Sequence, residues 1–259
     1  MIKLNVTEST EKLSVEHLLE IMKALRSPEG CPWDREQTYK SIRNEVLEEA
    51  YEVCDAIDNE DTEALCEELG DLLLQVAFHA TMAQEKSDFD FNDVTDGICR
   101  KLIFRHPHVF KDAKADNSAQ VLDLWDEVKR QEKHQSTYTD TLKSVPKAFP
   151  ALMRAAKVEK RGFKGGVVID NSPEALLEKT EELKKAIETG DKPLTEKTYG
   201  DLLFKLAALQ RTLGINSEQA LNDATERFIK DFEDAEERAQ KKTEKPTPTE
   251  IGQAFGNIK

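Results

Sequence analysis

Apolar residues recur at helical spacing along nearly the whole chain, and this periodicity limits the fold more than any other feature. Only 11 glycines and 9 prolines interrupt the 259 residues, fewer than strand-and-turn proteins use. The pattern therefore predicts an all-α protein. The predicted helices cover about 15–26, 35–58, 62–86, 92–104, 118–135, 148–161, 173–189, 198–213 and 217–240.

A polar stretch without periodicity, residues 136–141, is the clearest boundary in the chain, and Pro146 and Pro150 follow it. Clustered polar residues and prolines between periodic segments are typical of linkers. We expect a first module over residues 1–135, a linker over 136–147, a second module over 148–240 and a flexible tail over 241–259.

The two halves contain an internal repeat. Gly70-Asp71-Leu72-Leu73 in the first half matches Gly200-Asp201-Leu202-Leu203 in the second. Upstream of these segments, the pair Glu48-Glu49 corresponds to Glu181-Glu182. The chain therefore reads as two tandem copies of one helical module.

The charge balance and the apolar pattern exclude several classes of partner. A formal net charge of −14 disfavours direct nucleic-acid binding, which depends on clustered Lys and Arg. Membrane insertion is not expected, since no run of about 18 apolar residues occurs. The first residues lack the apolar core of a signal peptide, which predicts a cytoplasmic protein. The four cysteines lack zinc-binding spacing and are expected to be reduced and mostly buried.

Four carboxylates form two pairs, each spaced three residues apart. Glu49 and Glu52 lie on the predicted helix 35–58, and Glu68 and Asp71 lie on the predicted helix 62–86. Residues three apart share a helix face, and the short link at 59–61 makes the helices antiparallel neighbours. If the apolar stripes beside these acids pack together, the four carboxylates converge.

Converging carboxylates repel one another and favour a hard divalent cation, Mg²⁺ or alternatively Mn²⁺, with room for substrate phosphates. A solvated acidic face is the alternative explanation, because 34% of the residues are charged. A di-iron bundle is disfavoured, since it needs Glu-x-x-His on two helices. No histidine in the chain follows a glutamate by three residues.

Two further pairs could bind a nucleotide. Lys101 and Arg105, four residues apart, could hold phosphate, or they could simply complement the dipole at a helix C-terminus. Trp125 and Lys129 could offer a stacking ring beside an ammonium group, although such a tryptophan is more often part of a core.

The chain resembles the MazG nucleoside triphosphate pyrophosphohydrolases in several motifs taken together. The resemblance extends through most of the first module and into the second at 150–155. The matching segments are Gly30-Cys31-Pro32-Trp33-Asp34, Leu47-Glu48-Glu49-Ala50-Tyr51-Glu52, Glu67-Glu68-Leu69-Gly70-Asp71 and Arg105-His106-Pro107-His108-Val109-Phe110.

The resemblance implies an all-α, metal-dependent enzyme that cleaves a nucleoside triphosphate between the α and β phosphates. It also implies a homodimer with four-helix cores. Carried onto this sequence, the metal ligands would be Glu49, Glu52, Glu68 and Asp71, with Glu48 as a supporting acid. Lys101 and Arg105 would contact phosphates, and Trp125 and Lys129 would hold the nucleotide.

The second module departs from this pattern. Lys185 stands where the first module has Glu52, and Thr198 stands where it has Glu68. Arg227 and Asp231 are the expected counterparts of Lys101 and Arg105, so one cation has become an acid. We therefore assign catalysis to the first module. A dUTPase-like hydrolase of the same superfamily and a non-catalytic helical scaffold remain as alternatives.

Overall fold

A computed structural model describes residues 12–111 and 137–256, together with residues 113, 117, 120, 121, 124, 125, 128, 129 and 132 between those ranges. The prediction of an all-α protein is confirmed, since no strand occurs among the described residues. The chain divides into two compact units, residues 1–128 and 129–259.

In the first unit the helices are α1 (Val15–Arg26), α2 (Pro32–Glu36), α3 (Glu45–Asp58), α4 (Thr62–Glu85), α5 (Phe91–Arg105) and α6 (Pro107–Phe110). The described residues between 120 and 132 are also helical, and the remainder of the predicted helix 118–135 lies outside the described residues.

The core of the first unit forms where α1 packs against the second half of α4. Its fully buried members are Met22 from α1, Ile42 from the segment before α3, and Ala77, Phe78 and Met82 from α4. The C-terminal half of α4 is therefore buried, whereas its N-terminal half carries the acids of interest.

Arg26, the last residue of α1, is a buried cation that joins three segments. Its Nε lies 2.6 Å from Glu85 Oε1 at the end of α4, and its guanidinium lies 5.3 Å from the centre of the Phe78 ring. The same side chain donates to the carbonyl oxygens of Asp34 and Gln37. Arg26 thereby fixes α2 against the core.

The prediction of one continuous helix over 35–58 is wrong, because residues 37–44 are not helical. The Thr38 N–H donates to Ser41 Oγ at 2.8 Å, and Ser41 Oγ donates to Gln37 Oε1 at 2.8 Å. Side chains that satisfy local backbone groups compete with the helix. The interruption places Ile42 in the core.

Helices α3 and α4 form an antiparallel hairpin, as the short link predicted. Asp61 caps α4 by accepting from the backbone N–H groups of Glu63 and Ala64, each at 3.0 Å. Glu60 in the link has a φ of 55°, a left-handed conformation that is uncommon for a residue other than glycine. The link therefore reverses the chain within three residues.

In the second unit the helices are α7 (Tyr138–Lys143), α8 (Ala151–Lys164), α9 (Pro173–Thr189), α10 (Lys192–Leu213), α11 (Ser217–Gln240) and α12 (Pro248–Gly256). Helices α9 and α10 form a second hairpin, which turns at Gly190 with a φ of 69°. An ion pair between the buried Glu159 and Arg211, 3.0 Å apart, ties α8 to α10.

Two segments differ from simple linkers or tails. The predicted linker 136–147 contains α7, and the predicted flexible tail from residue 241 contains α12. The ring of Phe255 on α12 lies 5.3 Å from that of Phe228 on α11, centre to centre. This aromatic contact explains why a polar stretch is followed by an ordered helix.

The cysteines are free thiols, as predicted, but the prediction that they are mostly buried is wrong. Cys54, Cys66 and Cys99 are exposed, and Cys31 is partly buried. None of the described helices is both long enough and apolar enough to cross a membrane.

Candidate active site

Three carboxylates of the first unit converge across the α3–α4 hairpin. One oxygen each from Glu49, Glu68 and Asp71 lies within 4.8 Å of the others. Glu49 comes from α3, and Glu68 and Asp71 come from one face of α4, three residues apart. The structure therefore brings together three of the four predicted metal ligands.

Mutual repulsion and partial burial act on this cluster. The pKa of Glu49 is raised, first by burial and then by the charges of Asp71 and Glu52. The pKa of Glu68 is raised, first by loss of solvent and then by the charges of Glu52 and its other acidic neighbours. The clustered negative charges therefore favour binding of a cation at this spot.

Glu52, the fourth predicted ligand, is exposed on α3 and lies outside the three-oxygen group. Its charge still raises the pKa of both Glu49 and Glu68, so it belongs to the same field. Glu48, the predicted supporting acid, is exposed on the same helix.

The donor set fits a hard divalent cation. All three converging groups offer carboxylate oxygens, and no sulfur or imidazole is among them. Mg²⁺ and Mn²⁺ prefer such oxygen ligands, and Mg²⁺ is typically held by a few carboxylates with waters and substrate phosphates completing its shell.

The four predicted nucleotide-binding residues differ from one another in exposure and in their contacts. Lys101 is exposed on α5. Arg105, one turn later, is only 9% exposed, and its guanidinium lies 5.9 Å from the centre of the Trp125 ring. Trp125 keeps 37% of its surface exposed. Lys129 is half-buried and falls in the second unit.

The corresponding hairpin of the second unit contains a cation of its own. Lys179 Nζ lies 2.6 Å from Glu182 Oε2. The pKa of Lys179 is raised, first by this hydrogen bond and further by the charges of Glu182 and Asp201. Thr198 is buried and donates its hydroxyl to the Leu194 carbonyl at 3.0 Å.

One residue beside the acids received no role from the sequence. Gln75 lies four residues after Asp71 on α4; the residue is buried, and its amide oxygen accepts no hydrogen bond from any described residue. Its spacing of seven residues after Glu68 keeps both on one face of the helix, but this spacing does not distinguish a buried glutamine from an exposed one.

The helical fold and the carboxylate cluster together define an all-α protein with a candidate metal centre. Residues 37–110, which contain every acid of the cluster, match the MazG nucleotide pyrophosphohydrolase domain. Together with the relatives described next, this match shows that the chain belongs to the MazG family.

Similarity to known proteins extends well beyond that domain. The chain is 46% identical over 230 residues to the nucleoside triphosphate pyrophosphohydrolase of Escherichia coli, covering 86% of this chain and 87% of that protein. It is 40% identical over 227 residues to the nucleoside triphosphate pyrophosphohydrolase/pyrophosphatase MazG of Thermotoga maritima, covering 87% of each. Uncharacterized protein YabN of Bacillus subtilis is 39% identical over 224 residues, 46% of its length.

Proposed function

We propose that this protein hydrolyses nucleoside triphosphates between the α and β phosphates, releasing a nucleoside monophosphate and pyrophosphate. The observation that carries the proposal is the convergence of Glu49, Glu68 and Asp71 on one spot of the α3–α4 hairpin. Relatives that are 46% and 40% identical over most of their length are named nucleoside triphosphate pyrophosphohydrolases. Both facts point to the same chemistry.

In this proposal Glu49, Glu52, Glu68 and Asp71 hold Mg²⁺, or Mn²⁺ in its place, and Glu48 supports them. The bound cation would neutralise phosphate charge and lower the pKa of a water that attacks the substrate. The acids supply the negative field that holds the cation, as the raised pKa values of Glu49 and Glu68 indicate. Without the cation, the same field repels a triphosphate.

Lys101, Arg105 and Trp125 of the first unit would hold the substrate. Lys101 is exposed and can pair directly with a phosphate oxygen. Arg105 is buried beside the Trp125 ring, so we assign it two tasks: supporting that ring and adding positive charge. The exposed part of Trp125 could then stack on a base.

The first module would carry the activity, and the second would not. Lys185 and Thr198 occupy the positions of Glu52 and Glu68, and the Lys179 ammonium lies against Glu182. A second module with its own cation gains little from a metal ion. We assign it a structural part.

We also propose a homodimer, based on apolar stripes that the first unit leaves exposed. On α4, Leu69, Leu73 and Val76 follow one face and are 50%, 36% and 39% exposed. On α5, Ile98 and Leu102 are 44% and 47% exposed. Contiguous exposed apolar surface marks an interface, and a second copy of the chain would bury it in a four-helix core.

The dimer is tested by light scattering coupled to gel filtration. Leu73→Glu should convert the assembly to monomers, because a buried unpaired charge is strongly unfavourable. Gln84→Glu, at an exposed position of the same helix, is the matched control. A monomeric wild-type protein would contradict the proposed dimer without affecting the proposed reaction.

The reaction is tested with a panel of nucleoside triphosphates and Mg²⁺, with pyrophosphate and orthophosphate measured separately. Pyrophosphate should appear in step with the monophosphate, and orthophosphate should appear only after a pyrophosphatase is added. Orthophosphate released directly would place the cleavage elsewhere. Absence of any turnover, with the protein folded, would favour a non-catalytic scaffold.

A further inference from the structure

Gln75 is a buried amide with an unused acceptor. Only 8% of the surface of Gln75 is exposed. Its Oε1 is buried and has no hydrogen-bond partner among the described residues. Leaving such an atom unpaired is unfavourable, because it has lost its contact with water and gained no hydrogen-bond donor in return. Tyr39 Oη and His108 Nδ1 also lack a hydrogen-bond partner among the described residues of this unit. Of the three residues, only Gln75 lies on α4, the helix that carries Glu68 and Asp71.

The position of Gln75 on α4 connects it to the acidic cluster. Glu68, Asp71 and Gln75 are spaced at i, i+3 and i+7, and side chains at this spacing follow one face of a helix. Four residues separate Asp71 from Gln75, which is about 6 Å along the helix axis. The unpaired amide therefore follows the acids by one turn, towards the buried end of α4.

In the repeated segment of the second unit, a different residue with different contacts occupies the position equivalent to Gln75. Lys205 aligns with Gln75 when Gly200-Asp201 is aligned with Gly70-Asp71. Lys205 is 9% exposed, and its ammonium donates a hydrogen bond to the Asp170 carbonyl. The unit without a complete acid set thus pairs its polar group internally. In the unit with the acids, the polar group at this position, Gln75 Oε1, has no hydrogen-bond partner among the described residues.

We propose that Gln75 is a substrate-positioning residue whose amide oxygen accepts a hydrogen bond from a sugar hydroxyl of the nucleotide. This inference rests on the proposed function. An acceptor requires a donor, and the ionised phosphate oxygens of the substrate are themselves acceptors. The hydroxyl groups of the sugar are the donors nearest to the α phosphate in the substrate.

The test compares three substrates with the same base: the ribonucleoside triphosphate, its 2′-deoxy form and its 2′,3′-dideoxy form. The full-length wild type is compared with Gln75→Met, which keeps the length and unbranched shape but removes the amide. Gln84→Met makes the same change at an exposed position of α4 and is the matched control.

The wild type and Gln84→Met should prefer a substrate bearing the contacted hydroxyl over the dideoxy form by about tenfold in kcat/KM. In Gln75→Met this preference should fall close to one, mainly by loss on the hydroxylated substrate. The ratio between substrates on one variant does not depend on how much of that variant is folded, so partial unfolding cannot imitate the result.

An unchanged preference in Gln75→Met, or an equal loss on all three substrates, would overturn the role of Gln75 and leave the proposed reaction standing. No preference in the wild type would overturn it as well. If the wild type hydrolyses none of the three, the proposed function itself fails, and the inference fails with it. These outcomes are distinguishable in a single set of assays.

Discussion

Lys179 and Glu182 form a hydrogen-bonded ion pair, with 2.6 Å between Nζ and Oε2, at the point of the second hairpin where the first hairpin carries Glu49. Both side chains are partly exposed, so the pair adds little to stability. Its effect is electrostatic, because an ammonium group stands beside the acids that correspond to metal ligands.

This arrangement predicts that the two hairpins respond differently to the same substitution. Asp71→Asn and Glu52→Gln each remove a charge from the first cluster while nearly preserving shape, and should lower kcat/KM at least about 100-fold. Asp201→Asn is the matched change in the second hairpin and should leave kcat/KM within about twofold of wild type.

Circular dichroism and melting temperature establish that each of these variants is folded. If folded Asp201→Asn loses activity while Asp71→Asn retains it, catalysis belongs to the second hairpin and our assignment is reversed.

Cation binding should depend on pH in a direction set by the raised pKa values of Glu49 and Glu68. Metal ligands must be deprotonated, so protons compete with the cation as the pH falls through these values. Titration of Mn²⁺, followed by electron paramagnetic resonance between pH 8 and pH 5, should show affinity weakening at a higher pH than ordinary carboxylates would give. Constant affinity across this range would contradict the shifts.

The same pKa shifts have a consequence for stability. A carboxyl whose pKa is higher in the folded than in the unfolded state binds protons more tightly when folded, so stability without cation falls as the pH rises. Glu68→Gln should therefore raise the melting temperature in chelator at neutral pH. Added Mg²⁺ should stabilise the wild type more than the variant. A lower melting temperature for Glu68→Gln in chelator would contradict this account.

Trp125 should contribute to nucleotide binding more than to folding, because 37% of its surface is exposed. Stacking on a base is worth about 1–3 kcal/mol, so Trp125→Ala should raise the nucleotide Kd by about tenfold, measured by calorimetry. Trp125→Phe keeps a ring and should recover most of the affinity. A large fall in melting temperature with an unchanged Kd would make Trp125 a core residue.

Arg26 should be far more important for stability than an exposed arginine with the same ion-pair distance. Arg26→Met leaves the carbonyls of Asp34 and Gln37 without this donor and should reduce the free energy of unfolding by about 1–3 kcal/mol. Arg100 lies 2.6 Å from Asp96 but is exposed, so Arg100→Met should cost less than about 1 kcal/mol. Equal effects in urea unfolding would contradict the difference in burial.

The ends of a helix were predictable where the sequence contains capping residues. The helices 173–189 and 217–240 were predicted at the bounds that the structure has, since Ser172 and Asn216 cap them and Gly190 ends the first. The break at 37–44 was not predicted. The hydrogen bonds of Thr38 and Ser41 that compete with helix formation do not change the spacing of the apolar residues. The helix with Phe255 was missed because its stability comes from Phe228 and Phe232.

The acidic cluster followed from spacing, because Glu68 and Asp71 share a face and the short link aligns α3 with α4. Gln75 could not be recognised in this way, since a glutamine at the edge of an apolar stripe is equally compatible with solvent exposure. Only the three-dimensional burial and the unpaired Oε1 distinguish it.

The left-handed turn at Glu60 is the midpoint of the first hairpin. Glu49 and Asp71 lie eleven residues before and after it, and Glu52 and Glu68 lie eight. In the second hairpin the separation between Glu182 and Asp201 is three residues shorter than between Glu49 and Asp71. That hairpin turns at Gly190, so Glu182 lies eight residues before the turn and Asp201 eleven after it, and the shortening falls on one arm. Three residues correspond to about 300° of helix, which returns the shortened arm close to the same face. A single residue added within one arm would turn its acids by about 100° away from their partners. Length changes of a single residue within an arm should therefore be excluded, whereas changes of three or four residues, close to one helical turn, should be tolerated.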